Sequence, residues 1–153
     1  MTEYSYQGNR REGVVFLFLD DQGRVLVEHR PTKGGPAEVF FPNGSVEMKD
    51  HQNTSNHLLT ALLREVHEEF AGQIRPLDLW LLQTDDVPEI GVLFYTYVIT
   101  RWEGQFPAFT TEDGKPFARL VWIPLTEHAT YMKYDSAHSI CRGLLKHLHR
   151  EVQ

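Results

Sequence analysis

Apolar and polar positions along this chain follow two periods, and those periods predict its elements. From Gly13 to Leu19 the side chains are apolar almost without a break, as in a strand buried on both faces. Asp20-Asp21-Gln22-Gly23 is a polar turn, and Arg24 to Arg30 returns as the partner strand. After a loop from Pro31 to Pro36, Val39-Phe40-Phe41 is a short strand ending at Pro42. Asn43-Gly44 then reads as a turn whose residues tolerate positive φ. The period changes at Leu59. Leu59, Leu62, Leu63, Val66 and Phe70 form a helical stripe, with Thr54 or Ser55 as N-cap and Gly72 at the C′ position. Leu77 to Gln83, Val92 to Thr100 and Leu120 to Ile123 read as further strands. A second helix begins at Asp135 or Ser136, and its stripe is Ala137, Ile140, Cys141, Leu144, Leu145 and Leu148. The pattern predicts an α/β fold with two helices and one domain over residues 1–153, without repeat or linker.

One helical run carries more than packing information. Arg64-Glu65-Val66-His67-Glu68-Glu69 puts three carboxylates at i, i+3 and i+4, on one face of the helix. Three like charges repel unless a cation lies over them, and a hard divalent ion suits oxygen ligands. A solvated acidic face is the plain alternative. Against it stands the Phe-Phe-Pro-Asn-Gly segment upstream, which lets a turn backbone and acidic side chains converge on one site.

Between Phe40 and Gly72 the chain resembles the Nudix hydrolase superfamily. That signature is a glycine, five residues, Glu, seven residues, then Arg-Glu-aliphatic-x-Glu-Glu-x-Gly-aliphatic. Gly44 is followed after five residues by Asp50, an acid in place of Glu, and Arg64, Glu65, Val66, Glu68 and Glu69 match the second half. Arg-Glu-aliphatic-x-Glu-Glu arises by chance in roughly one chain in two thousand at average charged-residue usage. Three departures stand out. The spacer 51–63 holds thirteen residues, six more than the pattern. Ala71 occupies the glycine position, with Gly72 one place late, as a helix one residue longer would produce. Asn43 replaces the first glycine of the usual Pro-Gly-Gly. The inserted residues, 51–56, are polar and are expected to bulge outward as loop.

The resemblance implies an α/β/α sandwich around a mixed sheet. It implies hydrolysis of a nucleoside diphosphate linked to another group, with Mg²⁺ or Mn²⁺ as the metal. Glu65, Glu68, Glu69 and the Gly44 carbonyl carry over as metal ligands. Arg64 pairs with Glu65, and Glu65 is the first choice of base for the attacking water. The segment Thr110 to Pro116 resembles a loop that supplies one more carboxylate, Glu112 or Asp113, although Glu-Asp-Gly-Lys is equally an ordinary acidic turn. Glu47 and Asp50 would either orient the turn or reach a metal through water, and the family's acid at the Asp50 position is usually structural. Arg30 and His29 end a strand on the substrate side, where Arg30 suits a phosphate. Asp135 either reads a base edge or caps the last helix. Trp102 is a stacking candidate, with core packing as its alternative.

The implied substrate is a small nucleotide, first a nucleoside triphosphate, oxidised or not, cleaved to monophosphate and pyrophosphate. ADP-ribose or a nucleotide sugar is the alternative substrate. A catalytically silent nucleotide-binding Nudix module is the alternative of another class. A homodimer is compatible with the family. Composition narrows the rest. Net charge is −6, with no long basic run, which argues against a nucleic acid polymer held by phosphate contacts. Cys141 is the sole cysteine, so no intrachain disulfide forms, as suits the cytosol. No secretory leader or membrane span is expected. Eight histidines show no zinc-ligand spacing with cysteine partners, and His67 reads as surface or core.

Overall fold

The computed structural model describes residues 2–152, with side chains to residue 150. In chain order the strands are β1 (Tyr6–Gln7), β2 (Arg10–Phe18), β3 (Arg24–Arg30), β4 (Glu38–Phe40), β5 (Asn43–Ser45), β6 (Arg75–Val87), β7 (Val92–Glu103), β8 (Phe109–Glu112) and β9 (Lys115–Pro124). The helices are α1 (His57–Glu69), a single turn α2 (His128–Tyr131) and α3 (Asp135–Val152), with 3-10 turns at Met48–His51 and Leu125–Glu127. One sheet runs β1-β2-β7-β6, with β5 also on β2; β2 and β7 are parallel and its other pairs antiparallel. The other sheet is β4-β3-β9-β8, antiparallel throughout. A bridge between Leu19 and Val25 links the two.

Strand alternation in β2 divides the core. Val14, Phe16 and Phe18 face α1, where they meet Leu62, Val66 and Phe70. Val15, Leu17 and Leu19 face α3, where they meet Ile140, Cys141 and Leu144. Two helices therefore cover opposite faces of the strand layer, which is the mixed α/β/α arrangement expected. The continuous apolar run in β2 reflects burial on both sides. Phe70 fixes the rotation of α1. Its ring meets those of Phe16, Phe18 and Phe106 edge-on, with centroids 5.9, 5.6 and 5.2 Å away. With Leu62, Val66 and Phe70 held inward, Glu65, Glu68 and Glu69 are left along the flank.

The structure corrects several local expectations. Asn43 and Gly44 form no positive-φ turn; they are extended residues of β5, paired with Val15 and Val14. Asn56 is the N-cap of α1, accepting from the Leu59 amide, while Thr54 accepts from the Asn56 amide one step earlier. Leu63 is exposed, at the margin of the stripe. The segment 110–116 is a hairpin, with Asp113 and Gly114 both at positive φ between β8 and β9. The insertion begins in the 3-10 turn and carries one positive-φ residue, Asn53.

The end of α1 is no longer than the signature requires. Phe70 is the C-cap, the Gly72 amide donates to the His67 carbonyl, and the Ala71 amide donates to Glu68. That is a Schellman cap with Ala71 at C′, where φ is +53°. An L-residue there is strained by about 1–2 kcal/mol. Ala71→Gly is expected to stabilise the protein by about 1 kcal/mol net of the added chain entropy, raising Tm by roughly 2–4 °C in a thermal melt.

Candidate active site

The last two turns of α1 bring one cation and several acids together. The Arg64 guanidinium donates from Nε and Nη2 to both Asp50 oxygens at 2.8 Å, and from Nη2 to the Ser45 carbonyl at 3.0 Å. Its Nη1 lies 2.8 Å from Glu47, 3.0 Å from Glu65 and 3.2 Å from Glu68. A planar fork can serve the 3-10 turn, β5 and its own helix at once; an ammonium could not. Asp50 is buried, and its Oδ2 also accepts from the Glu47 amide. Burial works to raise the Asp50 carboxyl, but the Arg64 and Glu47 hydrogen bonds outweigh it and hold the group below the ordinary range.

Gly44 is required by sterics. A Cβ built there would lie 2.1 Å from the Glu65 carboxyl carbon and 2.2 Å from its Oε2. The strand backbone and the Glu65 carboxylate thus meet without a side chain between them. Burial pushes Glu65 up to about 7 against the pull of Arg64. Burial also pushes Glu69 up to about 8, helped by Glu28, Glu65 and Glu112. Glu28 is buried on β3, and burial raises its carboxyl despite the ion pair with Arg30; its Oε2 has no hydrogen-bond partner.

These groups surround a cavity of about 730 Å³. Glu47, Glu65, Glu68, Glu69, Glu112 and Asp113 line it, with Gly44, Asn43, Tyr4 and Phe117, and Arg30 is the one cationic side chain among its described lining residues. Crowded carboxylates with raised proton affinities and an orphaned acceptor are the signature of a site short of positive charge. Carboxylate and backbone oxygens form a hard donor set that fits a divalent cation.

A second cavity of about 580 Å³ adjoins the first, sharing Arg30 and Asn43. Its lining is mainly apolar and aromatic, with Phe40, Phe41, Phe94, Tyr134, Ala137 and Ile140, and Asp85 is among its few acids. Phe40 and Tyr134 stack at 5.3 Å, and the Arg30 guanidinium lies 4.3 Å from the Phe40 centroid.

A family model described as NUDIX domain matches residues 9–142. The chain belongs to the Nudix hydrolase family. Solved structures agree on the fold. A MutT described for Aliivibrio salmonicida and Vibrio cholerae superposes with a TM-score of 0.68 at 21% identity, over 90% of this chain and 98% of that one. An ADP compounds hydrolase gives 0.69 at 15% identity, over 92% and 74%. The NUDIX domain of Shewanella oneidensis NrtR, complexed with ADP ribose, gives 0.64 at 16% identity, over 91% and 88%. No curated protein matches the sequence.

Of the residues singled out by sequence, Gly44, Glu65, Glu68, Glu69, Glu112, Asp113 and Arg30 share the Nudix cavity, and Arg64 stands behind it. Three others are placed elsewhere. His29 lies on the opposite face of β3 from Glu28 and Arg30, lines neither cavity, and has its imidazole lowered by burial and by Arg119. Asp135 is exposed at the start of α3 and lines neither cavity, although Tyr134 and Ser136 on either side line the second. Trp102 packs against Phe18, Phe106 and Trp122 on the α1 face, so it is a core residue. Glu28, Phe40 and Tyr134 were missed. The signal for Glu28 was present: a carboxylate sharing the inward face of β3 with Leu26 has no place in an apolar core. Among the described residues, no helix is long and apolar enough to cross a membrane.

Asp50→Asn removes the buried charge that best balances a mostly buried guanidinium and is expected to cost about 3–5 kcal/mol in a urea melt at neutral pH. Because the folded Asp50 pKa lies below the unfolded value of 3.8, its contribution is present above that value and lost as pH falls through the folded one. The variant should therefore lose less further stability than wild type as the pH falls through that window.

Proposed function

We propose that this Nudix hydrolase is a divalent-metal-dependent pyrophosphohydrolase acting on a small nucleotide, foremost a nucleoside triphosphate cleaved to monophosphate and pyrophosphate. The observation that carries the reading is the pairing of cavities: a pocket of six carboxylates opens past Arg30 into an aromatic one. The first is built for cations and the phosphates they neutralise; the second is built for a flat ring.

In this reading Glu65, Glu68 and Glu69, with Glu112, Asp113 and the Gly44 carbonyl, hold Mg²⁺ or Mn²⁺. The bound cation neutralises phosphate oxygens and lowers the pKa of attacking water. Glu65, held by Arg64 beside the Gly44 backbone, would accept the water proton. Arg64 fixes Glu65 from 3.0 Å away, so the carboxylate keeps one orientation as its charge changes. Arg30, anchored by Glu28, grips a phosphate at the junction. The base lies in the second cavity against Phe40 and Tyr134.

A panel of nucleoside triphosphates, oxidised nucleotides, ADP-ribose and nucleotide sugars tests the proposal. Turnover is expected with Mg²⁺ or Mn²⁺ and abolished by EDTA. Nucleotide binding without turnover of any member would support a silent module instead. Glu65→Gln should lower kcat by about 10²–10⁴-fold with the fold retained. Gly44→Ala should lose activity, because the added methyl group clashes with the Glu65 side chain from Cγ outward and displaces the carboxylate that Arg64 holds, with retention of the fold checked by circular dichroism. Tyr134→Ala should raise KM by about 10-fold or more if a base stacks there, with a smaller effect on kcat.

A further inference from the structure

The inserted segment brings a second donor set together, away from the carboxylate cavity. His51 ends the 3-10 turn, His57 opens α1, and their rings stack at 4.0 Å with 14° between planes. Glu12 of β2 lies beneath them. One donor atom from each of Glu12, His51 and His57 falls within 4.8 Å of the other two. Eight residues of helix, roughly 12 Å of rise, separate His57 from Glu65.

Glu12 is 2% exposed, and its carboxylate is fully engaged. The Tyr95 hydroxyl donates to Oε2 at 2.7 Å, and the Ser5 hydroxyl donates to Oε1 at 2.7 Å. His57 Nε2 reaches the same Oε1 at 3.1 Å. Ser5 has spent its only proton on Glu12, so it accepts from His51 Nε2 at 2.8 Å. Both imidazoles thus direct Nε2 inward, His57 at Glu12 Oε1 and His51 at the Ser5 hydroxyl that donates to that oxygen. Glu12 stays anchored by Tyr95 and Ser5 whatever the histidines do.

We propose that Glu12, His51 and His57 form a metal site for one transition-metal dication of the Zn²⁺ kind, independent of the hydrolytic centre. Two imidazoles and a carboxylate are a borderline donor set that favours Zn²⁺ over Mg²⁺. A tetrahedral ion sets its ligands about 3.4 Å apart, close to the 3.1 Å between His57 Nε2 and Glu12 Oε1, and the fourth position is left to water. The Nε2 protons move to Nδ1 or leave as the ion enters. Tyr95 and Ser5 hold the ligating carboxylate from behind. His51 is exposed and His57 partly so, which gives the ion a way in from solvent. The ion ties the insertion and the start of α1 to β2, two residues before Val14, the partner of Gly44. The site is a structural clasp.

The test uses untagged full-length protein, stripped of metal and kept in excess Mg²⁺ so that the carboxylate cavity is saturated. Zn²⁺ titrated by calorimetry should bind at one equivalent and raise Tm; Co²⁺ should give the intense visible absorption of a tetrahedral site. His51→Ala, an exposed change, should weaken Zn²⁺ by more than about 100-fold, since changes merely behind a ligand already cost 10–100-fold. His57→Ala should do the same, and both should keep Mg²⁺-supported turnover. A Glu65→Gln, Glu69→Gln double variant should keep the Zn²⁺ site while losing turnover. Absence of Zn²⁺ and Co²⁺ binding, or binding abolished by the double variant and retained in His51→Ala, would overturn the proposal.

Discussion

The Arg64 guanidinium is the constraint on which the site depends. It is mostly buried, it cannot lose its charge, and it must therefore be surrounded by acceptors. Asp50, Glu47 and the Ser45 carbonyl supply them from the short stretch 45–50, and Glu65 from the helix itself. Each acceptor fixes the segment that carries it. The 3-10 turn is held to the helix, β5 is held to both, and Glu65 is held over Gly44. Segment 51–56 does not disturb this arrangement because it leaves after Asp50 and returns before the turn that carries Arg64.

Around that cation the protein concentrates like charge. Burial does most to raise the carboxyls of Glu28, Glu65 and Glu69, and neighbouring carboxylates add to it: Glu112 on Glu28, Glu68 and Glu47 on Glu65, and Glu28, Glu65 and Glu112 on Glu69. A core built only for stability would not retain such a group, since an apolar replacement of a buried charge is often neutral or better. Stability is supplied elsewhere, by Phe70 and the apolar stripes that clamp α1 and α3 to the two faces of the strands. Function and stability therefore use different sides of the same helix. Leu62, Val66 and Phe70 fix its rotation, and Glu65 and Glu69 exploit the result.

The second cavity draws on a different part of the chain. Arg30 ends β3 with its charge matched by Glu28 and its plane against Phe40, and it lines both cavities. Tyr134, just before α3, closes the aromatic side and donates to Glu38 at 2.7 Å. The second cavity is thus assembled from strands β2 to β7 and the start of α3, and α1 with its acids takes no part in it.

The sequence by itself determined what is local. The 3.6-residue stripe and the i, i+3, i+4 acids define α1 and its charged flank, and the unbroken apolar run of β2 announces burial on both faces, because periodicity is imposed by the element's own geometry. Only tertiary structure decided what depends on approach between distant segments. It made β5 a strand, since the pairing with β2 outweighs the turn propensity of Asn43-Gly44. It set Ala71 at positive φ, which no pattern of apolar residues reveals. It aimed Arg30 at the cavities, put Glu28 beneath it as its ion-pair partner and turned His29 away, because a strand's facing is fixed by its neighbours. It also brought His51 and His57 over Glu12, 45 residues from His57 in the chain. Their spacing carries no metal motif, and the loop between them had to fold back before they could meet.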